Sequence, residues 1–197
     1  PGVQRKTDEL LFVGRLVEKK GVQFLLEAMP AVLKKHSTVR LILAGSGPME
    51  QELREQAQRL QISDKVSFLG MVSQTELPAM YRKATLAIFP FIVAKSGDQE
   101  GFGLVQVEAM GCECPIIAGD LPAIHDIVIH EENGLIVESG NIRALADAII
   151  QTLDDKDLRL KLAEKARMQV MERFDWEVIA GKYGKIYQAL LHSLIVK

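Results

Sequence analysis

Short apolar runs alternate with stretches of helical periodicity along the chain as far as residue 137. The apolar runs predict six strands, over Glu9–Val13, Val39–Ala44, Val66–Leu69, Leu86–Phe89, Ile116–Ala118 and Leu135–Val137. The stretches between them predict helices near Val22–Lys35, Met49–Leu60, Gln74–Lys83, Gly103–Gly111 and Ile124–Ile129. Uniformly apolar strands that alternate with helices are typical of a parallel sheet covered on both faces. The pattern therefore predicts an α/β fold: a doubly wound, six-stranded parallel Rossmann-like sheet with helices on both faces and right-handed crossovers.

The pattern is purely helical from Asn141 onward and ends in a long segment from Trp176 to Ile195. Apolar residues recur there at three- and four-residue spacings and form a broad stripe. We expect part of this stripe to cover the domain's own sheet, and its far end, from about Leu190, to expose apolar surface. Two glycines in the segment indicate a bend or close packing. The stripe consists of Ile179, Tyr183, Ile186, Tyr187, Leu190, Leu194 and Ile195, and the glycines are Gly181 and Gly184.

Composition narrows the class of protein further. The chain has 197 residues, of which 48% are hydrophobic and 25% charged, which fits one globular domain with a full core. A net charge of −2 gives no overall field that would attract nucleic acid or an anionic membrane. Two cysteines do not make a disulfide framework and favour a reducing compartment, so we expect a cytoplasmic protein. No apolar run approaches the roughly 20 residues of a membrane span. The chain starts at Pro1 rather than Met, which indicates a piece of a longer protein.

The segment from Glu100 to Glu108 carries the strongest chemical signal. Glu100 opens a turn that contains Gly101 and Gly103, an apolar helix follows, and Glu108 lies eight positions after the first glutamate. Free N–H groups and the dipole at a helix N-terminus form an anion site, and glycines let a diphosphate approach the backbone. The two carboxylates can accept hydrogen bonds from hydroxyl groups. Together these features predict a nucleotide-sugar site.

The expected topology places a second loop beside this segment. Ligands of doubly wound sheets bind beyond the carboxyl ends of the strands, where the first and fourth strands meet. The loops after those strands are Gly14–Gly21 and Pro90–Gly101. Arg15 and Lys20 flank the first loop, and their guanidinium and ammonium groups suit phosphate oxygens. The alternative interpretation is that both are solvated cations in a charged loop.

Five segments in one order resemble a known family. Together they are similar to the retaining glycosyltransferases with the GT-B fold, specifically glycosyltransferase family 4 with its E-x7-E signature, over nearly the whole chain. The resemblance implies that residues 1–197 are the donor-binding, C-terminal half of a GT-B enzyme that lacks its N-terminal acceptor domain. It also implies that a terminal helix, about 176–195, crosses back to pack on that missing domain. The five segments are Phe12–Gly21, Leu43–Pro48, Glu100–Ala118, Asn133–Val137 and Arg173–Trp176.

The resemblance also implies roles for particular residues. Arg15 and Lys20 would bind the donor diphosphate and stabilise its departure, Glu100 would hold the transferred sugar, and Glu108 would hold the ribose. Arg15, Lys20 and Glu100 are thus the implied catalytic residues. No metal or cofactor is expected, because two cations and a helix dipole would take the place of a metal. The remaining implied donor-binding residues are Gly14, Val72 near the nucleobase, and the backbone of Gly101, Phe102, Gly103 and Leu104.

Other enzymes and a non-enzyme remain open as alternatives. A glycogen phosphorylase relative would need a lysine in Schiff-base linkage to pyridoxal phosphate, and no compelling candidate is present. A glycogen synthase-like glucan enzyme and a non-catalytic nucleotide-binding module of the same fold also fit. The expected partners are a nucleotide sugar and the missing N-terminal domain, and not a nucleic acid. Any peripheral membrane association would run through that missing domain, and the exposed terminal helix favours self-association of the fragment.

Several weaker signals have simpler interpretations. Asp155-Lys156-Asp157 matches the D-x-D pattern of metal-dependent transferases, but it opens a helix, where aspartates act as caps. Cys112 and Cys114 are expected to pack at a helix-to-strand joint. His125 follows a strand end on the expected site face. Many family members carry a glycine pair after the fifth strand, where this chain has Asp120 to Ala123, so the sugar stays open.

Overall fold

The computed structural model describes residues 8–195, with side chains to residue 192. The prediction drawn from Pro1 falls outside these residues. Six parallel strands form one sheet in the order β3-β2-β1-β4-β5-β6. The strands are β1 Glu9–Val13, β2 Arg40–Ala44, β3 Val66–Gly70, β4 Leu86–Phe89, β5 Ile116–Gly119 and β6 Leu135–Val137. The predicted doubly wound sheet is therefore confirmed, and β1 and β4 lie side by side at its topological switch point.

Seven α-helices and three short 3₁₀ turns are present in the described part of the chain. The helices are α1 Val22–Lys35, α2 Glu50–Arg59, α3 Leu77–Lys83, α4 Leu104–Gly111, α5 Ile142–Asp154, α6 Lys156–Arg173 and α7 Trp176–Ile195. The 3₁₀ turns are Glu18–Lys20, Ser63–Lys65 and Pro122–Asp126.

The sheet separates two apolar cores. Successive side chains of a strand point to opposite faces, so Leu10 and Phe12 of β1 join one core while Leu11 and Val13 join the other. Helices α1, α2 and α5 cover the first face, α3 and α4 cover the second, and α6 contributes Leu162 to the first core and Ala166 and Val170 to the second. All four residues of β4 are buried, because this central strand is covered on both sides.

The helix predicted over Ile124–Ile129 is not formed. The chain makes a 3₁₀ turn at Pro122–Asp126 instead. The buried side chain of Asn133 accepts a hydrogen bond from the Ile129 N–H at 2.7 Å and donates one to the Ile127 carbonyl at 3.0 Å. These backbone groups are satisfied by a side chain from the following loop, so they are not needed in a helix.

Helix α7 does not cover the sheet, although part of its apolar stripe was predicted to do so. It packs on α6, and every described side chain from residue 180 to residue 192 is exposed. Tyr183, Ile186 and Tyr187 are 59%, 56% and 63% exposed, so the apolar surface begins well before Leu190. A Cβ at either glycine of this helix would meet nothing within 4 Å, which rules out close packing there. The side chains of Leu194 and Ile195 lie outside the described residues.

None of the helices in the described range has both the length and the apolar character required to cross a membrane.

Candidate functional site

Two loops meet beyond the carboxyl ends of β1 and β4. The β1 loop, Gly14–Gly21, contains the 3₁₀ turn Glu18–Lys20, and the β4 loop runs from Pro90 to Gly103. Gly21 has a φ of +69°, and a Cβ there would lie 1.7 Å from the carbonyl oxygen of Pro90. Only glycine permits both this conformation and this approach. The two loops therefore pack backbone against backbone at the switch point.

Lys20 and Glu100 form an ion pair across these loops. The Lys20 Nζ donates to Glu100 Oε2 at 2.5 Å, and the two side chains are only 13% and 15% exposed. Burial raises the pKa of Glu100, but the hydrogen bond and charge of Lys20 outweigh it, so this pKa lies below its ordinary value. The Lys20 ammonium also lies 4.7 Å from the centre of the Phe91 ring. The alternative that Lys20 is a solvated cation is therefore wrong.

Further contacts join the two loops beside this pair. The Lys95 N–H donates to Glu18 Oε1 at 3.2 Å. The Lys19 Nζ donates to Asp98 Oδ1 at 3.1 Å and to the Gln99 carbonyl at 3.3 Å. We call these contacts, together with Lys20–Glu100, the interloop clamp. Sequence reasoning missed Lys19 and Asp98, because residues 79 positions apart carry no local signal of their contact.

Arg15 stands apart from the pair. Its side chain is exposed, and within residues 8–192 it has no hydrogen-bond or ion-pair partner. The neighbouring Gly14 donates its N–H to the Ala44 carbonyl at 3.0 Å, which fixes the start of the loop to β2. An uncompensated cation thus lies at the beginning of the β1 loop, available to an anion.

The N-terminus of α4 is open to ligands. Gly103 precedes the helix with a φ of +77°, and no acceptor within residues 8–192 takes a hydrogen bond from the N–H of Gly103 or Leu104. The Leu104 side chain is 67% exposed, and a Cβ at Gly101 would meet nothing within 4 Å. Phe102 packs edge-on against Phe174 at 5.9 Å between ring centres. The terminus therefore presents unpaired N–H groups of the kind that bind anions.

Glu108 has a protein partner that the sequence did not reveal. It is only half-buried, and the hydroxyl of the fully buried Tyr81 in α3 donates to its Oε2 at 3.3 Å. Burial raises the pKa of Glu108 although the Tyr81 hydrogen bond opposes this. Burial and the charge of Glu108 raise the pKa of Tyr81 far above its ordinary value, so the hydroxyl stays a donor. Sequence reasoning missed this contact, because Tyr81 lies 27 positions from Glu108 along the chain.

Gln106 is a second residue that sequence reasoning did not single out. Its side chain is fully buried in the first turns of α4, and neither amide atom has a hydrogen-bond partner in the described structure. A Cβ at Gly103 would lie 2.5 Å from its Nε2, so the amide sits directly beneath the turn that precedes the helix. A polar residue flanked by Val105 and Val107 was the only local signal.

Three other positions that the sequence singled out, Val72, Asp155 and His125, have ordinary structural contacts. Val72 follows β3, is half-buried and packs against the core beneath α3 and α4. Asp155 caps α6, because its side chain accepts from the Leu158 N–H at 2.8 Å. His125 contacts Asp120 at 2.7 Å, and both side chains are more than half exposed. Within residues 8–192 no group of three or more His, Cys, Asp or Glu residues could hold a metal ion.

Fold and site together define a class of protein. A doubly wound, six-stranded parallel sheet with helices on both faces is the fold of the GT-B glycosyltransferases to which this structure is similar. The family pattern described as "Glycosyl transferases group 1" matches residues 2–169. The chain therefore belongs to the group 1 glycosyl transferases.

Two curated relatives share about a third of their aligned residues with this chain. An uncharacterized glycosyltransferase of Methanocaldococcus jannaschii is 32% identical over 193 residues, which are 98% of this chain and 48% of the relative. The GDP-mannose-dependent alpha-(1-6)-phosphatidylinositol monomannoside mannosyltransferase of Mycobacterium tuberculosis is 32% identical over 171 residues, 86% of this chain and 44% of the relative. The chain thus spans about half the length of the curated relatives it matches.

A solved structure with bound UDP-glucose has the same fold. The crystal structure of Anabaena HepE in complex with UDP-glucose superposes with a TM-score of 0.80 at 26% identity. The match covers 92% of this chain and 48% of HepE.

Proposed function

We propose that this chain is the donor-binding part of a retaining glycosyltransferase of family 4. The whole enzyme would move a sugar from a nucleoside diphosphate to an acceptor held by a domain outside this sequence. The observation that carries the proposal is the Lys20–Glu100 pair, which lies largely buried at the switch point between β1 and β4. An opposite charge pair at this position offers an ammonium to a phosphate and a carboxylate to a hydroxyl.

The cationic part of the site would act on the leaving group. When the bond between the sugar and the diphosphate breaks, negative charge accumulates on the diphosphate oxygens. Lys20, Arg15 and the N–H groups of Gly103 and Leu104, the last three without partners within residues 8–192, would stabilise that charge. Such preorganised electrostatic stabilisation is the largest contribution in many enzymes. It supports a mechanism in which neither a metal ion nor a cofactor is needed.

The carboxylates would orient the sugars of the donor. Glu100 would accept hydrogen bonds from hydroxyls of the transferred hexose after Lys20 turns to the diphosphate. Glu108 accepts one bond from Tyr81 and keeps further lone pairs for the hydroxyls of the ribose. Val72 would border the nucleobase beyond the end of β3.

The acceptor domain would lie on the missing side of the cleft. The curated relatives are about twice as long as the matched region, which supports a further domain in the whole enzyme. The exposed apolar side chains of α7 support contact with a partner that is not part of this chain. The donor would be a hexose nucleotide, since one curated relative is GDP-mannose-dependent and the similar HepE structure contains UDP-glucose.

Calorimetric titration of the chain with UDP, GDP and ADP tests the proposal. We expect one of these nucleotides to bind the wild-type chain and Lys20→Met to weaken that binding about ten- to a hundredfold, since a charge-assisted bond contributes about 1.5–3 kcal/mol. Lys65→Met is the matched control, because Lys65 bonds the Ser37 carbonyl at 2.8 Å and lies outside the loops of the site. Failure of all three nucleotides to bind, or equal affinity in Lys20→Met, would refute the proposal.

A further inference from the structure

We propose that Lys19 and Asp98 are positioning residues of the donor site. Their ion pair holds the β4 loop on the 3₁₀ turn of the β1 loop and thereby sets the position of Glu100 relative to Lys20. The proposal rests on the proposed function, because it assumes that Glu100 contacts the transferred sugar.

Three consecutive residues of the 3₁₀ turn contact three successive points of the β4 loop. Glu18 accepts from the Lys95 N–H, Lys19 bonds Asp98 and Gln99, and Lys20 bonds Glu100. The contacts follow the same order along both segments. The 3₁₀ turn thus holds the end of the β4 loop in place through successive contacts.

The β4 loop has few anchors of its own in this region. The described structure has no helix or strand between Phe89 and Leu104. A local turn joins the Ala94 N–H to the Asp98 carbonyl and the Gly97 N–H to the Ala94 carbonyl, each at 2.8 Å. The tip of this turn is exposed, and a Cβ at Gly97 would meet nothing within 4 Å. Fixing such a segment costs conformational entropy, so its position depends on contacts made from outside.

Lys19 is the contact placed to transmit this constraint. Its side chain is 26% exposed, whereas that of Asp98 is 62% exposed, so the lysine is the more enclosed partner. Its second acceptor, the Gln99 carbonyl, belongs to the peptide group that joins Gln99 to Glu100. The backbone of Lys19 holds the other end of the loop, since its carbonyl accepts from the Ile92 N–H at 3.0 Å. Lys19 therefore fixes the loop at two points, at Ile92 near its start and at Gln99 immediately before Glu100.

Loss of the pair should affect recognition of the sugar more than recognition of the diphosphate. Lys20, Arg15 and the α4 terminus remain in place in a Lys19→Met variant, and a functional group must be held to about 0.5 Å to act. Exposed pairs contribute up to about a factor of five in an equilibrium constant. We expect nucleotide-sugar affinity to fall by about that factor and nucleoside diphosphate affinity to change less than about twofold.

The test compares each diphosphate with its sugar derivative on the same chain. Calorimetry with UDP and UDP-glucose, and with GDP and GDP-mannose, is applied to Lys19→Met, Asp98→Asn and the double variant. The double variant should bind the sugar nucleotide no more weakly than either single variant. The exchanged variant Lys19→Glu/Asp98→Lys should recover the part of the loss that comes from the ion pair, because a carboxylate at position 19 cannot donate to the Gln99 carbonyl. Glu50→Gln is the control, since it breaks a surface ion pair with Arg54 at 2.8 Å within α2.

The outcomes are distinct. A selective fall in sugar-nucleotide affinity with recovery in the exchanged variant supports the proposal. Unchanged affinities in Lys19→Met, or an equal fall for the diphosphate and its sugar derivative, would overturn it while leaving the proposed function intact. If the wild-type chain binds none of the four nucleotides, the proposed function fails and this inference fails with it.

Discussion

Replacing Glu100 by glutamine should tighten the binding of a nucleoside diphosphate that carries no sugar. The substitution keeps the shape of the side chain and removes its negative charge. The Glu100 carboxylate accepts a hydrogen bond from the Lys20 ammonium at 2.5 Å, and both side chains are at least four-fifths buried. A diphosphate that needs this ammonium must therefore compete with a carboxylate that also repels it.

The magnitude follows from the two hydrogen bonds that are exchanged. A bond between two charged groups contributes up to about 3 kcal/mol, and a bond in which only the ammonium is charged contributes about 1.5 kcal/mol, the lower end of the range for charged groups. The diphosphate thus competes with a bond that is weaker by about 1–1.5 kcal/mol, which corresponds to an affinity about five- to tenfold higher. Affinity for the sugar nucleotide should rise less or fall, since the contact of Glu100 with the sugar is weakened.

Calorimetry with the diphosphate at low and at high salt measures this effect. The gain should persist at high salt, because a pair with so little exposure is poorly screened. Glu50→Gln is the matched control, since that carboxylate pairs with Arg54 at 2.8 Å within α2 and its substitution leaves the pairing of Lys20 unchanged. A Glu100→Gln variant that binds the diphosphate as weakly as the wild type, or more weakly, would refute competition for Lys20.

Four further predictions concern stability and association. The pKa of Glu100 is lowered from 4.5, so the ionised carboxylate stabilises the folded protein above that pH. This stabilisation is lost as the pH falls through the lower pKa that Glu100 has in the folded protein. The pKa of Glu108 is raised, so Glu108→Gln should become more stable than wild type as pH rises through that value, as melting curves across a pH series would show. Gln106→Leu should raise the free energy of unfolding by about 1–3 kcal/mol, because it removes an unpaired buried amide; an unchanged denaturation midpoint would contradict this. The chain should self-associate through α7, and an Ile186→Glu/Leu190→Glu variant should be monomeric by light scattering; a monomeric wild type would contradict this.

The strands and the switch point could be predicted from the sequence because the burial of a strand is visible in the composition of the strand itself. A central strand such as Leu86–Phe89 is covered on both faces, so its composition is apolar without alternation. Glycines also carried information: Gly21 occupies a position that a side chain would block, and Gly103 precedes α4 with a positive φ. The chain order of these elements was enough to bring the loops of Lys20 and Glu100 to one edge of the sheet.

Tertiary structure alone decided how the charged groups are paired. Whether Glu100 bonds Lys20, and whether Lys19 bonds Asp98, depends on distances between residues about 80 positions apart. Electrostatic interactions vary with the inverse of that distance and with local burial, and neither quantity is encoded in the neighbours of a residue.

Tertiary structure also explains the two wrong predictions, the helix over Ile124–Ile129 and the packing of α7 on the sheet. The backbone after Pro122 follows the buried side chain of Asn133 rather than its own helical pattern. The apolar stripe of α7 has helical periodicity whether it covers the chain's own sheet or lies exposed. Periodicity therefore determined that this segment is a helix and which residues share its face. Only packing decided what that face touches, because an apolar surface is stabilised by any partner that removes it from water.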